Sequence, residues 1–246
     1  MMTNNEPATE TKGKFARIIA LVSLVAIALG GFNDTTDALK KIYDFSLSKF
    51  TDIPSQEKLD NIYIRASSDI LEQNFGAPVY IKQTYNGELI KYYKDDRFIL
   101  SVISKGGAIS AYLVFPESGF YPDTSASSSG QELLTNSFDQ QESVNDIRAT
   151  ISKTITYYIE ENTTGEFSNL YSSVSGYSEF NTSLTPEKRA TLTVLVDDML
   201  LGEDISEPAI AVRKTLLPNF YGYSTLGLAA LEEAILTNSE FRLINP

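Results

Sequence analysis

The sequence predicts an α+β protein with three parts: an N-terminal transmembrane or signal-anchor helix and stalk, then a helix plus four-stranded antiparallel meander, then a mixed, mostly helical second half. Three observations predict it. A long apolar run occupies residues 18–32, four strand patterns separated by turn residues fill 79–115, and helical spacing of apolar residues returns after residue 185. The 246 residues are 42% hydrophobic and 21% charged, which is ordinary for a folded globular protein.

The composition excludes several kinds of chemistry. The chain contains no His, no Cys and no Trp, so it has no disulfide, no imidazole base and no thiolate nucleophile. An ordinary zinc or haem site cannot be assembled without these ligands. We therefore predict no catalytic residue, no cofactor and no metal site, and a protein that is not an enzyme.

The charge is unevenly distributed along the chain. Residues 1–50 hold five acidic and six basic side chains, which leaves 27 acidic and 14 basic side chains in residues 51–246, a net charge of −13 for that part. A body of this charge repels nucleic-acid phosphates and anionic lipid headgroups. The sequence therefore predicts no nucleic-acid partner, and the simplest role of the charge is solubility.

The apolar segment Ile18–Phe32 predicts contact with a membrane. Its fifteen uncharged residues cover about 22 Å as a helix, and extension from Phe15 to Asn33 gives about 28 Å against a hydrocarbon core of about 30 Å. Its large apolar side chains favour insertion by about 3–5 kcal/mol. The predicted membrane-anchor residues are Ile18, Leu21, Val22, Val25 and Leu29.

Two fates of this segment stay open. Small residues at Ala26, Ala28 and Gly30 suit signal-peptidase cleavage, whereas an amphipathic pattern at 34–50 suits an uncleaved anchor that continues into a stalk helix. We favour the uncleaved anchor. The bases Lys12, Lys14 and Arg17 lie closer to the segment than those that follow it, which favours a cytoplasmic N-terminus and an extracytoplasmic (periplasmic) body, with a cytoplasmic body as the alternative.

The next part is predicted as one helix followed by four strands. Pro54 opens a helix whose apolar stripe runs from Leu59 to Phe75, and Gly76 and Pro78 end it. The strand patterns are Val79–Tyr85, Glu88–Tyr93, Arg97–Ser104 and Ala108–Phe115. Asn86-Gly87 and Gly106-Gly107 are preferred hairpin turns, so we expect an antiparallel meander with one face buried under the helix.

Residues 59–115 resemble the helix–meander module of the SmpA/BamE family and its β-lactamase-inhibitor-like relatives. The matching residues are Phe75-Gly76-Ala77-Pro78, Asn86-Gly87-Glu88 and Lys105-Gly106-Gly107-Ala108-Ile109. The resemblance implies a small envelope module that braces protein assemblies by binding partners. The lipid-bearing Cys of that family is missing here, so its mode of anchoring does not transfer, and no catalytic residue transfers either.

Beyond residue 115 the pattern is less regular. Residues 116–143 are predicted as a polar, mobile loop or a subdomain boundary, and Thr154–Glu160 as a strand. Helices are expected after Thr185-Pro186, over Ala209–Leu217 and over Leu226–Asn238, with Ser224 as the cap of the last. The predicted organisation is a cytoplasmic basic leader (1–17), membrane segment (18–33), amphipathic stalk (34–50), helix plus meander (51–115), polar loop (116–143) and mixed C-terminal half packed on the meander (144–246).

Several motifs imitate catalytic ones. Ser46-Leu47-Ser48-Lys49 matches S-x-x-K but lacks the accompanying motifs, and Gly222–Gly227 is one residue too long for a nucleophile elbow. The adjacent acid pairs, including Glu160-Glu161, are expected to lie mostly on solvated surface, because neighbouring side chains diverge. A carboxylate-dependent envelope glycan hydrolase stays as an alternative, and it requires two acids that converge on one cleft.

The sequence contains 14 Tyr, several of them in the second half. Tyrosine combines apolar area with a polar tip and suits both core packing and protein interfaces. The candidate binding surface is Tyr157, Tyr171, Tyr177, Tyr221 and Tyr223. The leading hypothesis is a membrane-anchored protein-interaction module, an assembly accessory or sensor that binds an unknown protein, and a third possibility is a cytosol-facing, membrane-tethered stress or defence effector.

Overall fold

The computed structural model describes residues 52–141, 144–163, 169–180 and 182–245, and they form a mixed α+β fold. An eight-stranded, fully antiparallel sheet lies at its centre, with the order β1-β2-β3-β4-β8-β7-β6-β5. The strands are β1 (Tyr80–Gln83), β2 (Leu89–Lys94), β3 (Phe98–Lys105), β4 (Ala108–Pro116), β5 (Asp146–Ile151), β6 (Thr156–Asn162), β7 (Ser172–Ser178) and β8 (Phe220–Ser224).

Six α-helices and one short 3-10 turn surround the sheet in the described part of the chain. The helices are α1 (Ile53–Asp60), α2 (Asp69–Phe75), α3 (Pro186–Leu201), α4 (Ser206–Thr215), α5 (Leu228–Glu232) and α6 (Asn238–Ile244), and the 3-10 turn is Phe138–Gln140. None of these helices is both long and apolar enough to cross a bilayer. The predicted anchor and stalk lie outside the described residues.

The meander predicted from the first half is present. The strands β1 to β4 pair in sequence order, and each predicted strand overlaps an observed one. Gly87, Gly106 and Gly107 have φ angles of 87°, 60° and 80°, a region that costs glycine little. These turns therefore fix the register of the hairpins.

The single helix predicted between Asp52 and Phe75 is wrong, because α1 and α2 are separate. The backbone of the connection bonds to β4 instead: Arg65 N donates to Ile109 O at 2.8 Å, and Ile109 N donates to Ala66 O at 2.9 Å. A continuous helix would need the same backbone groups for its own hydrogen bonds. Pairing with β4 therefore interrupts the helix that the continuous apolar stripe predicts.

The second half contributes four strands as well as four helices, so it is less helical than predicted. The predicted strand at 154–160 corresponds to β6, but β8 occupies a segment interpreted as a connection between helices. The helix predicted over Leu226–Asn238 is present only in part, as α5, and α6 begins at its predicted end. Ser224 does not cap a helix: it ends β8, and α5 follows Gly227.

The join between the two halves is the pairing of β4 with β8, and Gly222 makes it possible. A Cβ atom at Gly222 would lie 2.2 Å from the carbonyl oxygen of Tyr112 and 2.6 Å from Cδ2 of Leu113. Because β8 also pairs with β7, it holds two meanders in one sheet. The second half is thus joined to the first edge to edge.

Helices cover both faces of the sheet. On the back face α5 and α6 pack on alternate strand residues, including Ile90, Leu113, Phe115 and Phe220. The front face is covered by α1 and α2 over the first meander and by α3 and α4 over the second. The core therefore forms two layers, one on each side of the sheet.

Residues 116–141 are packed on the front face, unlike the mobile loop expected from their composition. Phe120, Leu133 and Phe138 are buried there. Thr124 fixes the local turn, because its Oγ1 donates to Gln131 O at 3.1 Å and accepts from Leu133 N at 2.9 Å. Serine-rich composition here reflects hydrogen-bonded turns.

Candidate functional site

Four tyrosines meet on the front face and form what we call the tyrosine cluster: Tyr112, Tyr171, Tyr221 and Tyr223. The strand register places Tyr112 of β4 directly opposite Tyr223 of β8, and their ring centroids lie 5.5 Å apart. Tyr221 and Tyr223 share a face because they are two residues apart on one strand. Tyr171 contacts Tyr223 edge-on at 5.4 Å.

The tyrosine cluster is hydrogen-bonded to the chain that covers it. The Tyr223 hydroxyl lies 2.9 Å from Oγ of Ser128, and the Tyr171 hydroxyl donates to Ser127 O at 3.1 Å. Burial, followed by the neighbouring tyrosines, raises the pKa of Tyr112 and Tyr221 well above the ordinary value. These phenols therefore stay neutral near pH 7 and serve as packing and hydrogen-bonding groups.

A cleft of about 340 Å³ lies beside the tyrosine cluster, at one end of the central strands. Glu161 comes from the end of β6, Ser172 from the start of β7 and Ser224 from the end of β8. Its lining residues also include Arg65, Asn169 and Tyr171. We call this feature the charged cleft.

Arg65 has an unusual backbone in this cleft. Its φ angle is 72°, in the left-handed region, where a residue other than glycine costs about 1–2 kcal/mol. Its bond to Ile109 O keeps the backbone in this conformation. A glycine would satisfy the same turn with less strain.

Neither charge of the cleft has a partner among the residues that the structure describes. The side chains of Arg65 and Glu161 form no hydrogen bond or ion pair, either with each other or with any other described residue. Other charged side chains near the sheet form ion pairs, such as Lys82 with Glu240 and Arg189 with Glu179. Two opposite, unpaired charges in one concavity can bind complementary groups of another molecule.

The structure brings together three of the five tyrosines of the candidate binding surface, namely Tyr171, Tyr221 and Tyr223. Tyr157 lies on the back face, where its hydroxyl donates to Oε1 of Glu232 at 2.5 Å. Tyr177 packs under α3 and donates to the carbonyl of Thr182. Four of the five are buried, and Tyr171 alone of this set keeps part of its side chain exposed at the cleft.

Sequence reasoning missed Arg65 and the separate positions of the two adjacent acids at 160–161. Arg65 falls within an apolar stripe that predicts helix, and no local signal announces its left-handed backbone. Glu161 lines the cleft, whereas Glu160 points to the opposite face of the strand and is only 2% exposed. The strand alternation at β6 could have separated the two carboxyl groups.

Glu160 forms a buried ion pair that holds α4 on the sheet. Arg213 Nε lies 2.8 Å from Oε1 of Glu160, and Arg213 Nη2 donates to the carbonyls of Phe138 and Gln141. Tyr158 donates a hydrogen bond to the same carboxylate. Burial raises the pKa of Glu160, although Tyr158 and Arg213 partly oppose this effect.

The glycan-hydrolase alternative needs two carboxylates that converge on one cleft. Each of three clefts in the described part of the chain contains a single one: Glu161 in the charged cleft, Glu88 in a second and Glu117 in a third. The Ser-x-x-Lys match at 46–49 lies outside the described residues. Within those residues, no three acidic side chains converge as a metal site would require.

The chain was compared with known protein families, protein sequences and structures. No protein-family model, no curated protein sequence and no solved structure matches this chain. The resemblance of residues 59–115 to the SmpA/BamE module therefore stays a prediction, and function must be argued from the geometry of the charged cleft.

Proposed function

We propose that this chain is a membrane-anchored protein-interaction module, an assembly accessory or sensor without catalytic activity. The single observation that carries the proposal is the charged cleft, where Arg65 and Glu161 have no partner among the described residues and lie beside the partly exposed Tyr171. Arginine and tyrosine are enriched at protein interfaces, and complementary charges set the specificity of binding. The apolar segment at 18–32 supplies the anchor.

The partner's chemistry follows from the two charges. A partner must present an acidic group towards Arg65 and a basic group towards Glu161, with apolar surface against Tyr171. The net charge of −13 on residues 51–246 disfavours strongly acidic partners at long range. We therefore expect a protein surface with a mixed or basic charge at the contact.

Removing both cleft charges should weaken partner capture by about tenfold or more, because a charge-assisted hydrogen bond contributes roughly 1.5–3 kcal/mol. The experiment is affinity capture of the full chain from membranes of its source cells, with quantitative mass spectrometry. The test variant is R65Q/E161Q. Its matched control is E72Q/K91Q, which also removes one acid and one base, here from a partly exposed pair 2.8 Å apart between α2 and β2.

The control should retain the wild-type set of captured proteins within about twofold, since an exposed pair of this kind contributes little. If R65Q/E161Q captures the same proteins at the same yield as wild type, the cleft is not the interaction site. If the wild-type chain recovers only background proteins, the proposed function fails.

The proposed topology places residues 51–246 outside the cytoplasm. A reporter active only outside the cytoplasm, fused after Pro246, should work in intact cells, and neutral replacements at Lys12, Lys14 and Arg17 should reduce its activity, because these bases favour a cytoplasmic N-terminus. A silent fusion, combined with an active cytosolic reporter at the same position, would reverse the topology. The cytosol-facing effector would then replace the envelope module.

A further inference from the structure

We infer that the charged cleft binds a small zwitterion, a molecule with one carboxylate and one ammonium group, as in a free amino acid or a short peptide. The inference rests on the proposed function and makes it more specific, because a module that binds such a ligand is a sensor. It depends on three features of the cleft: its charges, its backbone and its size.

The two charges of the cleft suit a ligand that carries one positive and one negative group. Arg65 presents a guanidinium group that suits a carboxylate, and Glu161 presents a carboxylate that suits an ammonium group. An anion alone would leave Glu161 unpaired and would be repelled by the acidic body, and a cation alone would leave Arg65 unpaired. A zwitterion pairs with both side chains and carries no net charge.

The backbone at Arg65 is ordered before any ligand arrives. The bond from Arg65 N to Ile109 O at 2.8 Å and the bond from Ile109 N to Ala66 O at 2.9 Å fix the residue on both sides. The left-handed φ angle of 72° is therefore held by pairing with β4, while the Arg65 side chain is exposed to solvent. Ordering this backbone in advance lowers the entropic cost of binding.

The size and the aromatic wall limit the ligand further. The volume of about 340 Å³ lies at the lower end of the range for small-molecule sites, which is about 300–1,000 Å³. Tyr171 lines the cleft, so its ring can contact an apolar or aromatic side chain of the ligand, and the face of the ring can attract an ammonium group. A single amino acid or a dipeptide fits within this volume.

Isothermal titration calorimetry on the full chain in mild detergent tests the inference. The probes are the free amino acids and dipeptides, each compared with its N-acetyl derivative, which lacks the ammonium group, and its C-terminal amide, which lacks the carboxylate. We expect at least one free amino acid or dipeptide to bind about 10- to 100-fold more tightly than either derivative. Comparing amino acids with dipeptides distinguishes the two ligand sources.

Single variants test which charge of the cleft binds which group of the ligand. R65Q should lose the preference for the free carboxylate over the amide, and E161Q should lose the preference for the free ammonium over the N-acetyl form. K91Q, which replaces a base on β2 outside the charged cleft, should retain both preferences. R65G should abolish the carboxylate preference while its melting temperature stays at or above the wild-type value, because glycine relieves the left-handed strain.

Two results would overturn the inference. One is the absence of heat with every zwitterion, and the other is equal affinity for the free and blocked forms. Either result leaves the capture experiment on R65Q/E161Q unaffected, so failure of the sensor inference is distinguishable from failure of the interaction module itself.

Discussion

Replacing Arg213 with methionine is expected to destabilise the fold by about 3–5 kcal/mol at pH 7, because Glu160 would remain as a buried charge without its partner. Glu160 is 2% exposed and lies on the front face under α4. Methionine retains the length of the side chain but neither the charge nor the hydrogen bonds to Phe138 O and Gln141 O. Urea unfolding followed by tyrosine fluorescence measures the loss.

The pH dependence of R213M identifies the cause. The pKa of Glu160 is raised above its ordinary value of 4.5 in the folded wild type, and removal of Arg213 should raise it further. The folded state then holds a proton that the unfolded state releases, so stability is greatest below about pH 4.5 and falls as the pH rises through the folded pKa. The difference in the free energy of unfolding between R213M and wild type should therefore be smaller at pH 5 than at pH 7.

Two controls accompany this prediction. R148M breaks a half-exposed pair with Asp146 at 3.7 Å and should cost less than about 1 kcal/mol. E160Q/R213M removes both charges and should recover most of the lost stability. A deficit of equal size at both pH values would show that lost packing, and not the buried charge, explains the effect.

Replacing Gly222 with alanine is expected to destabilise the protein by about 3 kcal/mol or more, because the new methyl group would overlap backbone atoms. The nearest atom is the carbonyl oxygen of Tyr112 at 2.2 Å, which belongs to the neighbouring strand and cannot rotate away. The β4–β8 pairing must then open locally, and the tyrosine cluster opens with it. Urea unfolding measures the loss.

Gly227 provides a matched control for this substitution. Its φ angle is −70°, and a Cβ atom there would meet nothing within 4 Å. G227A should therefore change stability by no more than about 0.5 kcal/mol. If G222A were as stable as G227A, the close approach of β4 and β8 would not be a constraint on the fold.

The first meander could be predicted from sequence because its signals are local. Asn86-Gly87 and Gly106-Gly107 specify two hairpins by themselves, and alternation within each strand specifies the buried face. β8 shows the opposite case. Pro218 and Gly222 give its surroundings the composition of a loop, and its extended conformation comes from pairing with β4 and β7, both distant in sequence.

The candidate site was predictable only in part for the same reason. The sequence named Tyr221 and Tyr223 as candidates, but it interpreted their segment as a connection between helices, so their common face on a strand was not predicted. The charged cleft depends on the fold, which brings Arg65 and Tyr171, more than 100 positions apart in the chain, to one end of the sheet. The left-handed backbone of Arg65 is likewise imposed by β4.

The position of β8 in the sheet has a consequence for the order of events during synthesis. A ribosome releases β1 to β4 and then β5 to β7 well before Phe220–Ser224 emerges, so two partial sheets must wait with the inner edges of β4 and β7 unpaired. Those edges carry buried apolar residues such as Leu113 and Val174. The nascent chain is therefore most exposed to aggregation just before its last strand appears, and a chaperone that shields these edges would act in that interval.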